Sequence, residues 1–335
     1  MTGVSVKTVA FTTTIPQEII WAAGAVPVDL NNVFITGNSA DYIRRAEALG
    51  IPRATCSWIK GIMGVVDDIR PDTVIAVTEG DCSNNHALMS QFRYHYPDMS
   101  ILGFSYPQDK DPNMLQLQLK KLMDHLHVSP VEVDLFKKKL DELRHKLRDI
   151  DDLQTQHIGL SGKALQRLLI SSTDFNQNLA TYESELDQWI SLLSRSALDL
   201  KTCRIGISGV PSILSDLSDL IETRFPARIV YFEVESDFAM MEPSQILVEQ
   251  YLQFRYPYEL FARIAAMNQQ IKEKGLVAMV HYVQSFCHRQ IEASIIQKLL
   301  DVPVLVLEGD APGPVDMRTQ IRIEQFMERI TGATL

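Results

Sequence analysis

Four cysteines are spread over 335 residues, and three of them, Cys56, Cys82 and Cys287, stand in the same kind of place. Cys82 follows the apolar run TVIAVTEG and precedes the helix-forming segment SNNHALMSQFRYHY. Cys287 follows LVAMVHYV and precedes HRQIEASIIQKLL, while Cys56, in ATCSWIKG, lies in a loop just before a helix. A helix N-terminus presents N–H groups without intrahelical partners and a positive potential, which stabilise a thiolate relative to a thiol. Thiolates so placed suit a soft metal centre, zinc or an iron–sulfur cluster. Cys56 and Cys82 are 82 − 56 = 26 residues apart, and no C-x-x-C spacing occurs. Spacing alone therefore leaves a second reading open, in which these are small buried apolar side chains. Cys203 begins a strand instead of following one and reads as structural.

Other candidates cluster around these cysteines. Glu79 and Asp81 flank the Cys82 loop, and Glu308 and Asp310 end a strand at the same predicted edge. A carboxyl close to an anionic centre and away from water could act as a proton donor. The plainer role for such residues is to cap the next helix or form ion pairs. His86, four residues after Cys82, and His288, next to Cys287, could hydrogen-bond to cluster sulfur or supply a fourth ligand; solvent-facing or capping histidines are the alternative. Arg318 and Arg322 could recognise an anion, but an ion pair, with Glu324 for instance, is preferred. The aromatics of YPYELFAR read as core packing.

The elements that must position these residues alternate in type. VKTVAFT predicts a strand, and IPQEIIWAAGA has helical spacing with Pro16 where a first turn tolerates it. TCSWIKGIMGVVDDI predicts a helix stopped at Pro71-Asp72, followed by the strand TVIAVTEG, a helix opening at Ser83 or Asn84, and the strand ILGFSYP. From about Asp111 to Leu200 the chain is charged, amphipathic and helical, either solvated helices or a partner-docking face. Strand–helix alternation resumes with CRIGISG, a helix over about 213–224, and ARIVYFEV. It continues through LFARIAAMNQQIKEK, LVAMVHYV, VPVLVLEGD and the closing helix TQIRIEQFMERI. The expected fold is α/β, two parallel-sheet lobes joined by a helical connector. Residues 1–110 form the first lobe with Cys56 and Cys82, 111–200 the connector, and 201–335 the second lobe with Cys287. A site using all three cysteines forms where the lobes face each other.

Composition narrows the classes. With 46% hydrophobic and 22% charged residues the chain has enough apolar material for two cores. A net charge of −10, from 32 Lys+Arg against 42 Asp+Glu, argues against a nucleic-acid partner, which needs a basic face. The opening MTGVSVKTVAF has no signal-peptide pattern and no apolar run is long enough to span a bilayer, so a cytoplasmic protein without a membrane partner is expected. Four cysteines are too few for a disulfide framework.

The motifs IPQEIIWAAGAVPV, RATCSWIKG, TEGDCSN, EQYLQFRYPYELFARI, VHYVQSFCHRQIE, VPVLVLEGD and RTQIRIEQF together resemble the 2-hydroxyacyl-CoA dehydratase family, which includes benzoyl-CoA reductase subunits and double-cubane cluster proteins. They cover both lobes in the family's order. The resemblance implies two flavodoxin-like, or Rossmann-like, lobes with a low-potential iron–sulfur cluster between them, held by Cys56, Cys82 and Cys287. It further implies an ATP-hydrolysing iron–sulfur activator that injects single electrons, a homodimer or a heterodimer with a homologous subunit, and radical dehydration or reduction of an acyl-CoA. One set of three matching cysteines favours a single [4Fe-4S] cluster, with a double-cubane [8Fe-9S] cluster as the alternative. The chain lacks a G-x-x-x-x-G-K-[ST] loop, consistent with a separate ATP-using partner. The function expected is thus the iron–sulfur component of a reductively activated dehydratase or reductase, with Glu79, Asp81 and Glu308 as candidate catalytic acids. The alternatives are an electron-relaying subunit, a double-cubane-type reductase of a small molecule, and a zinc enzyme.

Overall fold

Short apolar strands whose two faces both need covering favour parallel sheets, because each parallel connection lays a helix on one face. The computed structural model describes residues 7–258 and 260–333, apart from the side chain of His288. In chain order it runs β1 (Thr8–Phe11), α1 (Gln17–Ala22), β2 (Val26–Asp29), α2 (Leu30–Thr36), α3 (Ser39–Ala48), α4 (Ser57–Ile69), β3 (Thr73–Glu79), α5 (Asn84–His95), β4 (Ser100–Ser105), α6 (Pro112–Leu126) and α7 (Pro130–Gln156). Then come α8 (Gly162–Ser171), a 3-10 turn at Phe175–Gln177, α9 (Leu179–Leu193), β5 (Cys203–Gly209), α10 (Leu217–Arg224), β6 (Ala227–Phe232) and α11 (Glu233–Ala239). The chain ends with α12 (Leu247–Gln253), α13 (Leu260–Lys274), β7 (Ala278–Val283), a 3-10 helix at His288–Glu292, α14 (Ala293–Leu299), β8 (Val304–Glu308) and α15 (Met317–Thr331).

The strands form two all-parallel, four-stranded sheets of the same order, β2-β1-β3-β4 and β6-β5-β7-β8. The expected α/β class with two parallel sheets is what the chain adopts. Every residue of β6 and β7 is buried, as are the first five of β3. β2 was not foreseen: four residues containing Pro27 make a weak strand signal. Pro27 is tolerated because β2 is an edge strand, where one row of N–H groups has no partner to serve. The run ARIVYFEV stops being a strand at Phe232, and its last two residues start α11.

The chain divides into two compact units whose boundaries cross the sequence. The first comprises Met1–His145, Ser171–Tyr182 and Met240–Tyr258, and the second Lys146–Ile170, Glu183–Ala239 and Glu259–Leu335. The helices between β4 and β5 are therefore shared between the two units. α7 opens on a capping box: Ser129 N–H and Oγ donate to Glu132 Oε2 at 2.8 and 2.7 Å, with Pro130 in the first turn. The first unit draws its third segment, Met240–Tyr258, from far along the chain, and the α12 helix of that segment packs on α6.

A buried charge ties this segment in. Glu18 on α1 is fully buried, and its carboxylate accepts from Arg144 Nη1 (2.7 Å), Tyr251 Oη (2.8 Å) and Gln250 Nε2 (3.1 Å). Burial pushes the Glu18 carboxyl up, but the Arg144 charge and these donors outweigh it and hold it below the usual carboxylate range.

Helix α4, which carries Cys56 at its head, packs on α2 and α3 by close backbone approach. A Cβ on Gly64 would lie 1.9 Å from the carbonyl oxygen of Tyr42 and 2.5 Å from its carbon. Backbone cannot rotate away as a side chain can, so Gly64→Ala must push α3 and α4 apart. The substitution is expected to destabilise the protein by about 1–3 kcal/mol, read as a lowered urea midpoint with an unchanged slope.

Candidate functional site

In each sheet the strand order reverses between its first and third strands in sequence, β1 and β3 in one unit, β5 and β7 in the other. Loops leaving such a pair at the carboxyl edge run to opposite sides and open a crevice, the usual ligand position in doubly wound sheets. Cys82 lies on the loop after β3 and Cys287 on the loop after β7, so each unit offers a cysteine at its own switch point. Cys203 is the first residue of β5, at the opposite, amino edge, and is half-buried.

Around Cys82 the crevice is tightly braced. Tyr106, just past β4, donates its N–H to Glu79 O (3.1 Å) and its hydroxyl to Thr14 O (2.7 Å), stapling the loops after β3 and β1. Asp81 accepts from the Thr13 hydroxyl, from Asn85 Nδ2 at 3.0 Å and from the Tyr256 hydroxyl at 3.0 Å. Cys82 itself is half-buried, and its carbonyl accepts from Asn85 N–H in the first turn of α5 (3.0 Å). Glu79 is exposed and lines an open groove of about 530 Å³ with Pro107, Gln108, Asp109 and Met114. His86 is exposed on α5. Ser83 occupies the N-cap position of α5 but makes no side-chain cap bond.

Cys56 is buried at the N-cap of α4. Lys60, also buried, reaches back from the first turn to Arg53 O (3.1 Å) and pairs with Glu47 (3.0 Å), which folds the preceding loop onto the helix. Trp58 meets Phe34 edge-on at 4.9 Å.

In the second unit Cys287 heads the 3-10 helix and is half-buried. The turn before it puts Phe286 in the left-handed region at φ 64°, with the residue 70% exposed. Asp310, exposed, accepts from Ser285 N–H at 2.7 Å and so fixes this turn; Glu308 is exposed at the end of β8. Behind the loop, Arg263 makes a two-pronged bond to Glu233 (2.7 and 3.0 Å) and a third to Glu292 (3.0 Å). Glu233 also accepts from Gly209 N–H (3.2 Å). Burial pushes Glu233 up, but the Arg263 charge prevails and holds it low. His281, on β7, is buried with Nδ1 2.9 Å from Ser208 Oγ, and desolvation depresses it to about 4, so it is neutral at physiological pH. The His288 side chain lies outside the described residues.

Two expectations change. Arg322 does not pair with Glu324; it donates to Val306 O at 2.7 Å, while Glu324 accepts from Arg224 and Gln320. The aromatics before α13 are not simple core: Tyr256 and Tyr258 are half-buried over the Cys82 edge, and Lys110 sits 4.6 Å from the Tyr258 ring centre. Sequence reasoning also passed over Asp29 and Asp174. Both are fully buried, and Asp174 accepts from Asp29 N–H (3.0 Å) and Asn32 Nδ2 (2.8 Å). Asp174 is followed by three left-handed residues, Phe175, Asn176 and Gln177, without a glycine to signal the turn.

Among the described residues no group of three or more His, Cys, Asp or Glu side chains is gathered to hold a metal ion. The donor chemistry nonetheless fits a soft centre: three thiols, each at or next to the head of a helix. Among the described residues no helix is long and apolar enough to cross a membrane.

Two doubly wound α/β units with a cysteine on each switch loop place the chain in a class of two-sheet proteins that present cysteines at strand ends. Comparison with family models then names it: the model for 2-hydroxyglutaryl-CoA dehydratase, D-component, matches residues 12–330, and the chain belongs to that family. It is a dehydratase-type component. Among curated proteins no match is found. Among solved structures the chain is similar to the SBP FpvC of P. aeruginosa in complex with Ni2+, at 11% identity over 98% of this chain and 94% of that one. The TM-score is 0.22.

The Asp29–Asp174 pair makes stability depend on pH. Burial, then the Asp29 charge, pushes Asp174 up to about 7. The folded state thus binds a proton that the unfolded state releases near the ordinary carboxyl value. Stability is full below that value and falls, on the order of a few kcal/mol, as pH rises to about 7. Asp29 caps α2 by accepting from Asn31 N–H, and asparagine caps as well, so Asp29→Asn removes charge and keeps the cap. Unfolding at about pH 5 and pH 8 should show a smaller loss for Asp29→Asn than for the native protein.

Proposed function

We propose that this chain is the iron–sulfur component of a reductively activated 2-hydroxyacyl-CoA dehydratase or a related acyl-CoA reductase. One cluster is held by Cys56, Cys82 and Cys287, a single [4Fe-4S] in preference to a larger double cubane. The observation that carries the reading is the placement of three of four cysteines at helix heads, two of them on switch loops, in a chain of this family. When bound, the cluster supplies low-potential single electrons and an iron with an open coordination position. The α4 and α5 termini lower the cost of holding thiolates at Cys56 and Cys82, and Lys60 fixes the loop before Cys56. Glu79 and Glu308, both exposed at strand ends, are the carboxyls best placed to exchange protons with solvent and substrate. His86 and His288 are the candidate hydrogen-bond donors to the cluster's surroundings. Electrons come from a separate ATP-dependent activator, and the chain works as a cytoplasmic dimer with itself or a homologous subunit.

An electron-relaying subunit is the second reading, favoured by the same cysteines; it differs in leaving no iron open to substrate.

Anaerobically purified protein is expected to contain about four iron and four sulfide per chain. Stoichiometric zinc without acid-labile sulfide would overturn the proposal. Single alanine substitutions separate the ligands from the bystander. Cys56→Ala, Cys82→Ala and Cys287→Ala should each lose the cluster absorbance, whereas Cys203→Ala, at the amino edge of β5, should retain it and cost about 1 kcal/mol of stability.

A further inference from the structure

The Cys82 loop is covered by a segment that comes from far along the chain. Arg255–Tyr258, just after α12, belongs to the first unit, and its Pro257 lies so close to Gly80 that a Cβ there would stand 2.7 Å from Pro257 Cβ and 2.8 Å from Tyr106 Cβ. Gly80 adopts φ +91°, so backbone and packing both demand glycine one residue before Asp81. Phe254 meets Tyr106 edge-on at 5.6 Å, and Tyr258 does so at 6.3 Å. At the polar end of this strap, the Tyr256 hydroxyl bonds to Asp81 Oδ1. Asp81 Oδ2 meanwhile holds Thr13, on the loop after β1, and Asn85, in the first turn of α5. Asn85 is buried and also donates to Val77 O at 2.9 Å, which anchors the helix to β3.

We infer that Asp81 is a positioning residue, a latch that closes the Tyr256 strap and the Thr13 loop around Cys82 and sets how open that thiol is to small molecules. All three partners donate to it, which suits an anchoring acceptor better than the proton-delivering role that sequence position suggests. A single carboxylate here joins three separate stretches of chain, Thr13, Asn85 and Tyr256, to the residue beside the thiol. Parting any of these bonds loosens the loop that carries Cys82. For its purpose the inference rests on Cys82 being a cluster ligand, but its geometry does not.

The test uses the full chain as purified without oxygen. It is exposed to iodoacetamide, and alkylation of each cysteine is followed by peptide mass spectrometry, with iron and sulfide counted on the same samples. Tyr256→Phe, which removes only the strap's hydroxyl, should speed Cys82 alkylation about fivefold, the effect of losing one hydrogen bond, while Cys203 keeps its rate. Asp81→Asn should give at least as large a change, and Thr13→Val serves if Asp81→Asn fails to fold. Where the protein carries iron, the same variants should speed iron release to a chelator in the same order. An unchanged Cys82 rate in Tyr256→Phe and Thr13→Val would overturn the inference. A parallel rise at Cys203 would also overturn it, by assigning these bonds to general stability. An iron-free native protein would instead sink the cluster reading alone, because the Cys82 rates still report on the latch.

Discussion

The constraint on which the rest depends is that an all-parallel sheet cannot be built from hairpins. Each strand must be followed by a crossover before the next can be laid beside it, so all carboxyl ends gather at one edge and all amino ends at the other. With the order β2-β1-β3-β4, repeated as β6-β5-β7-β8, that edge acquires one place per sheet where neighbouring connections diverge. Chemistry placed on the loop after the third strand is then exposed to a crevice while its backbone stays tethered to the most buried strands. Cys82 and Cys287 occupy that place, and Cys203 sits at the other end of its strand. Topology thus distinguishes cysteines that composition treats as equals.

Buried charge does the fine positioning. Glu18 in one unit and Glu233 in the other are each matched by a buried arginine, Arg144 and Arg263, and by neutral donors that fill the remaining acceptor positions. Buried ion pairs of this kind add little to stability over an apolar substitute, but removing one partner is costly, so they fix geometry. Arg263 reaches Glu292, which links the wall behind β5 to the 3-10 helix headed by Cys287. Asp81 fills a comparable place among uncharged donors.

Much of this could be read from the residues. The strands β1, β3, β4, β5, β6, β7 and β8 announce themselves through β-branched and apolar runs, and the positions of Cys82 and Cys287 between strand and helix follow directly. β2 could not be read, because four residues with a proline carry little pattern and owe their pairing to β1. The strap eluded reading for a different cause: YPYEL looks like the start of a helix, and only tertiary placement sends Tyr256 to a loop more than 170 residues earlier in sequence (256 − 81 = 175). Asp174 was illegible because its environment is made by Asp29 and Asn32, distant in sequence, and by a left-handed turn with no glycine to mark it.

The first unit also has a temporal consequence. Residues up to His145 supply its sheet and most of its helices, yet Tyr251 and Gln250, which help neutralise Glu18, lie beyond β6 in the sequence. During synthesis the N-terminal sheet must wait, with a carboxylate only partly matched, until the ribosome has delivered about a hundred further residues, by which time β5 and β6 have also emerged. The two units are therefore interleaved in the order of their making. Neither can be cut out as a gene segment, and neither can have been added whole to the other without this segment being rerouted.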